Sequence, residues 1–286
     1  MRFWMLTLLT TAGLLAAYTG LLQQTGWRAE YAESNVVANE IRWQRFERRR
    51  NAARIVVVGS SIGGRLPVEA LVGDREKGIN LCFDGSNARL GMELLAAAGV
   101  HPEWLFIEAN TLTLPPSPNE ATLRAAFSGF TGRLARAVPF LRAESRPVSL
   151  VYSVFKQRAD RRRAAGKVIP DLSSEPRRPG PEPPRVAPVS DPAITSALTE
   201  WRGRLRPFRE RGTQVVLVML PDGGQDRARD YALARALAAD GFLFFDLKGT
   251  WPEEVFAYSD GVHLVRPAAE ALAAWLGRRT LSAHAP

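Results

Sequence analysis

Four short stretches of this sequence carry residue types that do chemistry, and three of them follow apolar runs. Gly59-Ser60-Ser61-Ile62-Gly63-Gly64 follows 55–58, Asp84-Gly85-Ser86-Asn87 follows 79–83, and Glu108-Ala109-Asn110-Thr111 closes a run that starts at 104. The fourth, Ser259-Asp260-Gly261-Val262-His263-Leu264, comes just before the last helical pattern. A serine hydroxyl is a poor nucleophile until a base takes its proton. Three histidines are available, but His101 opens a loop and His284 lies in the tail, which leaves His263 as the base. Asp260, three residues earlier, reaches Nδ1 and fixes the tautomer that turns Nε2 toward a serine. Alcohol, imidazole and carboxylate together are the equipment of acyl transfer.

Each residue also has a plainer reading. Ser60 and Ser61 suit a helix cap, Gly85 a turn, and Asn110 a bond to its own loop backbone. Asp260-Gly261 is an ordinary turn pair, and His263 suits a surface loop. A sharper rival is dinucleotide binding, since Gly59, Gly63 and Gly64 after a strand, with Asp84 about 20 residues on, imitate that motif. The spacing is not G-x-G-x-x-G, however.

The elements that must position these residues alternate. Residues 55–58, 79–83, 104–108, 215–220 and 242–247 are short, apolar and rich in β-branched or aromatic side chains, and read as strands. Residues 86–98, 121–141, 226–239 and 267–279 read as helices, with Gly99 and Gly241 as stops and Pro267 at a first helical position. Alternation of this kind predicts an α/β fold: three layers, α/β/α, around a central, mostly parallel five-stranded sheet. Ligands of such sheets sit beyond the carboxyl ends of the strands, where the chemical residues fall. Between strands three and four, residues 170–192 hold eight prolines and read as a flexible or polyproline insertion.

The four stretches resemble the blocks of the SGNH (GDSL-like) hydrolase superfamily. That family has a Gly-Asp-Ser block after the first strand, a glycine after the second, an asparagine after the third and a closing Asp-x-x-His. The resemblance covers roughly residues 55–112 and 213–279, in the right order, and implies a flavodoxin-like three-layer fold. Residue by residue it makes Ser61 the nucleophile, Asp260 and His263 the rest of the triad, and Gly85 and Asn110 the oxyanion-hole residues. The sequence departs from the pattern at Ser60, where the family has aspartate, and at Glu108 and Thr111, which flank Asn110. A carboxylate near an oxyanion site would repel the developing charge, so these departures leave a second reading, a decayed site serving as scaffold or binding component of an envelope polysaccharide complex. What the resemblance implies is an esterase or O-acyltransferase acting on acylated carbohydrates or other esters of the cell envelope, with no cofactor and no metal.

Residues 3–22 carry no charge, and as a helix they match the roughly 30 Å hydrocarbon thickness of a bilayer. Trp4 and Trp27 bracket the stretch as interfacial aromatics do. No convincing cleavage site follows, so an uncleaved anchor is expected, with Arg2 inside and the domain in the periplasm of a single-pass bacterial inner-membrane protein. Residues 29–53 read as an amphipathic linking helix. The expected organisation is an anchor over 1–27, the linking helix over 28–53, an α/β domain over 54–280 with a proline-rich insertion at 168–193, and a tail over 281–286. The 286 residues suffice for one sizeable core beyond the anchor. The single cysteine, Cys82, excludes an intramolecular disulfide and a cysteine zinc cluster. The net charge of +9 comes with no nucleic-acid-binding motif. Much of it sits in Arg48-Arg49-Arg50 and Arg161-Arg162-Arg163, which suit solvated helix edges or anionic headgroups.

Overall fold

A computed structural model describes residues 1–74, 76–118, 120–128, 134, 138–165, 186–251 and 253–281. The chain divides into two compact units, 1–48 with 121–158 and 49–120 with 159–286. Most of the proline-rich segment read at 168–193 lies outside the described residues, as does 282–286 of the tail.

The first unit is helical. α1 (Arg2–Thr25) is long and apolar enough to cross a membrane, and it ends at Gly26, whose left-handed φ of 62° lets its N–H bond back to Leu22. α2 (Asn35–Arg49) supplies the expected amphipathic helix but starts six residues later than the pattern at 29 suggests. The helical pattern read over 121–141 forms only its first part, α5 (Glu120–Ser128), and a single turn at Pro139–Leu141; 129–133 and 135–137 lie outside the described residues. α6 (Pro147–Ala164) was not legible in the sequence. The segment 121–158, expected within the α/β domain, groups with the N-terminal helices instead. A buried carboxylate explains the grouping. Glu144, 1% exposed, accepts from Arg45 Nε at 2.8 Å and from Arg48 at 2.5 Å. Burial would raise its pKa, but the two guanidinium groups more than offset that and hold it below the usual carboxylate range.

The second unit carries the sheet. β1 (Ile55–Gly59), β2 (Gly78–Cys82), β3 (Trp104–Glu108), β4 (Gln214–Met219) and β5 (Leu243–Asp246) pair in the order β2-β1-β3-β4-β5, all parallel. Alternate residues of each strand feed opposite faces. Ile55, Val57, Phe106, Val216 and Val218 share one cluster with Val68 and Leu71 of α3 (Val68–Val72) and Leu272 and Leu276 of α10 (Arg266–Thr280). Val56, Val58, Leu105, Ile107 and Leu217 are buried on the other face, where α4 (Ala88–Ala97), α7 (Pro192–Glu210) and α8 (Ala228–Ala239) pack. A four-residue helix, α9 (Leu247–Thr250), follows β5. Strand order reverses between β1 and β3, the switch point where such sheets bind ligands.

One packing contact admits no side chain. A Cβ on Gly277 of α10 would lie 2.0 Å from the backbone oxygen of Leu71 in α3. Gly277→Ala is therefore expected to destabilise the protein by about 2 kcal/mol or more, despite alanine's better helix propensity, as urea unfolding would show.

Candidate active site

The turn after β1 is built around a carboxylate. Glu108, at the end of β3, is 1% exposed. Its Oε2 accepts from the Ser60 N–H at 2.7 Å and the Gly63 N–H at 2.8 Å, and its Oε1 accepts from Ser60 Oγ at 2.8 Å. Ser60 Oγ in turn accepts from the Ile62 N–H at 3.2 Å. The glycines are explained by this grip, since a Cβ on Gly59 or Gly63 would stand 2.5 or 2.8 Å from Oε2. Burial raises the Glu108 pKa, with the Ser60 and Gly63 hydrogen bonds opposing the shift.

The same geometry disposes of the dinucleotide reading. The Ser60 and Gly63 N–H groups that would cradle a phosphate are already bonded to the Glu108 side chain and are not free for an anionic ligand.

Ser61 sits outside that grip and half-buried, with its Oγ 2.8 Å from Nε2 of His263. Asp260 Oδ2 lies 2.8 Å from Nδ1 of the same ring. The loop that carries the pair is tightly closed. Asp260 Oδ1 accepts from the N–H groups of His263 at 2.9 Å and Val262 at 3.3 Å, and the Ser259 N–H donates to the His263 carbonyl at 2.7 Å. Burial alone would raise the Asp260 pKa, but the His263 backbone and ring contacts outweigh it and pull the carboxyl down to about 2. A carboxylate so held stays charged across the ordinary pH range and keeps the ring oriented. Gly223 supports the loop from below. It has a φ of 72°, and a Cβ there would meet the Gly261 carbonyl oxygen at 1.7 Å.

Ser61, His263 and Asp260 line a cleft of about 600 Å³ with Ser60, Gly85, Ser86, Asn87, Thr111, Ser117, Gln225 and Arg227. Its apolar lining comes from Ile62, Leu114, Pro115 and Val262. The 112–117 wall is pinned from behind. Trp201 Nε1 donates to the Leu112 carbonyl at 2.9 Å and Asn87 Nδ2 to the Pro115 carbonyl at 2.9 Å. Arg89, 4% exposed, donates to the carbonyls of Leu112 and Leu114 while paired to Glu200. Among the described residues, no three or more His, Cys, Asp or Glu side chains form a group that could hold a metal ion.

Two expected oxyanion donors fare differently. Gly85 lines the cleft with a φ of 73°. Among the described residues, neither its N–H nor that of Ser61 donates to a protein acceptor. Asn110 is not in the lining. Its Nδ2 donates to the Leu220 carbonyl at 2.8 Å and to Asp222 at 3.2 Å, and its Oδ1 accepts from the Leu220 N–H at 2.8 Å. The parallel register that sets Glu108 beside Val218 carries Asn110 to Leu220, so its carboxamide ties β3 to β4 and both its protons are committed. The neighbouring Thr111, 4% exposed, occupies the cleft wall, and its Oγ1 is buried without a partner among the described residues. In the sequence Thr111 is a departure from the motif, and its hydroxyl one residue past the asparagine is the signal of its place in the cleft wall.

Beneath the cleft, fully buried Asp222 accepts from Arg227 Nε at 2.7 Å and bonds the Lys248 ammonium. Arg227 so held reaches the cleft wall beside Gln225, with its guanidinium 2.5 Å from Gln225 Oε1. No family model, no curated protein and no solved structure matches this chain.

The Glu108 grip has a measurable signature. Glu108→Ala strands two buried N–H donors and is expected to cost about 2–4 kcal/mol in urea unfolding. Because the folded-state pKa is raised, the proton's contribution to stability is full below the ordinary glutamate range and is lost as pH rises through the raised value. Glu108→Gln is expected to lack that pH-dependent loss, which unfolding curves from about pH 4 to about pH 8 would reveal as a difference from wild type.

Proposed function

We propose that this protein is a membrane-anchored serine esterase or O-acyltransferase of the SGNH type, acting on acyl esters of cell-envelope glycans. The observation that carries the reading is the continuous chain from Ser61 Oγ through His263 to Asp260, with both contacts at 2.8 Å. The strand order β2-β1-β3-β4-β5 is that of flavodoxin-like folds and supports the family reading. The hydroxyl-rich cleft wall suits a sugar ester, and the apolar residues Leu114 and Pro115 suit its acyl group. The N-terminal helix and Arg2 support an anchor in a bacterial inner membrane with the α/β unit in the periplasm.

In this mechanism Ser61 Oγ attacks the ester carbonyl while His263 Nε2 takes the hydroxyl proton. Asp260 stabilises the imidazolium that forms. The oxyanion of the tetrahedral intermediate is held by the N–H groups of Ser61 and Gly85. His263 returns the proton to the leaving alcohol, and the acyl group stays on Ser61 as an ester. Water or a glycan hydroxyl, deprotonated by His263, then takes the acyl group and frees the serine. Glu108 takes no part in the proton transfers, since its carboxyl group is held by the Ser60 and Gly63 N–H groups of the turn. The engagement of Glu108 by the turn supports this reading over a decayed scaffold.

Labelling of the detergent-extracted full chain with a fluorophosphonate tests the reading. Wild type is expected to label and Ser61→Ala to remain unlabelled, whereas an unlabelled wild type or an equally labelled variant would defeat it.

A further inference from the structure

α6 exposes an apolar stripe that the α/β site does not use. Val148, Val151, Tyr152 and Phe155 are 56%, 53%, 38% and 64% exposed. Their spacing of three, one and three residues places them on one side of the helix. The other side is occupied within the same unit. Ser149 donates to Glu33, Ser153 Oγ accepts from the N–H groups of Glu30 and Tyr31, and Gln157 donates to Glu30. Leu150 is buried against Leu22, Ala29, Ile41 and Ala143.

Leu22 belongs to the end of α1, and its surroundings fix where α6 begins. The α1 side chains are exposed without interruption from Arg2 to Ala17, whereas Tyr18, Thr19 and Gly20 are half-buried and Leu22 is buried. The Tyr18 hydroxyl donates to the Ser145 carbonyl, two residues before α6 starts at Pro147. The bare part of α1 therefore rises only about 24 Å at 1.5 Å per residue. A bilayer's hydrocarbon core is about 30 Å thick. A spanning α1 thus draws the protein surface around Tyr18–Leu22, and the start of α6 with it, down to the margin of the hydrocarbon. Trp27, 46% exposed just beyond α1, is the aromatic type that settles at that depth. Exposed Arg158 on α6 offers a cation to phosphate headgroups.

We infer that the Val148–Val151–Tyr152–Phe155 face of α6 is a membrane-contact surface that lies in the headgroup and upper acyl region of the bilayer spanned by α1. It is an amphipathic interfacial contact, separate from the spanning helix, which fixes the first unit against the lipid surface rather than leaving it on a free tether. The inference rests on α1 as a membrane span and is independent of the acyl-transfer reading.

Spin labelling of the full chain in phosphatidylcholine–phosphatidylglycerol vesicles tests it. In a Cys82→Ser background, Val151→Cys and Phe155→Cys carry nitroxides on the stripe, and Leu9→Cys reports separately on α1. At positions 151 and 155 the label is expected to lose accessibility to a water-soluble nickel complex while keeping accessibility to oxygen, as at position 9. Nickel accessibility typical of a water-exposed side chain, with position 9 still lipid-shielded, would overturn the contact while leaving the anchor intact. Loss of accessibility to both reagents would also overturn it, by showing that a protein surface covers the stripe. A water-exposed label at position 9 would remove the spanning helix on which the inference stands.

Discussion

A single buried carboxylate organises the turn at the carboxyl end of the sheet's central strands. Glu108 ends β3 and reaches across to the turn after the neighbouring strand β1, where it takes two backbone N–H groups and a hydroxyl. Removing a carboxylate from water is costly, and here the cost is met by donors that have no other partner in so tight a turn. The consequence is a turn whose shape is dictated from outside its own sequence. Ser60 is consumed by that bond, and Ser61 is left free to face the imidazole. Two adjacent serines thus have separate roles because one can be reached from β3 and the other cannot.

The sheet was legible because its signals are local. Short β-branched runs ended by Gly59 or Pro221, and helices ended by Gly99 or Gly241, need only neighbours in sequence to be recognised. The Asp260–His263 pair was legible for the same reason, since a spacing of three within a turn already brings the carboxylate to the ring. The role of Glu108 was not, because it depends on which strand lies beside β3. Sequence reading saw a misplaced charge near an oxyanion. The side chain points along the sheet to β1, where the glycines make room for it. α6 and α7 were missed because each interrupts its own pattern: exposed apolar residues blur the polar face of α6, and Pro207 lies inside α7.

The hydrogen bonding of Asn110 shows how register sets what a side chain meets. A parallel strand pair matches residues two by two, so the position of Glu108 beside Val218 fixes what Asn110 meets two residues later. It meets the Leu220 backbone and is spent as a structural tie, which also closes over Asp222. The next residue, Thr111, lines the cleft.

The one thiol of the chain lies at the centre of this arrangement. Cys82 ends β2, is fully buried, and its sulfur sits 3.2 and 2.9 Å from where a Cβ of Gly59 or Gly63 would stand. No reagent reaches that sulfur while the core around it is closed. Its rate of alkylation therefore counts how often the fold opens around it, a clock of local breathing that runs beside Ser61 and is silent in every closed molecule.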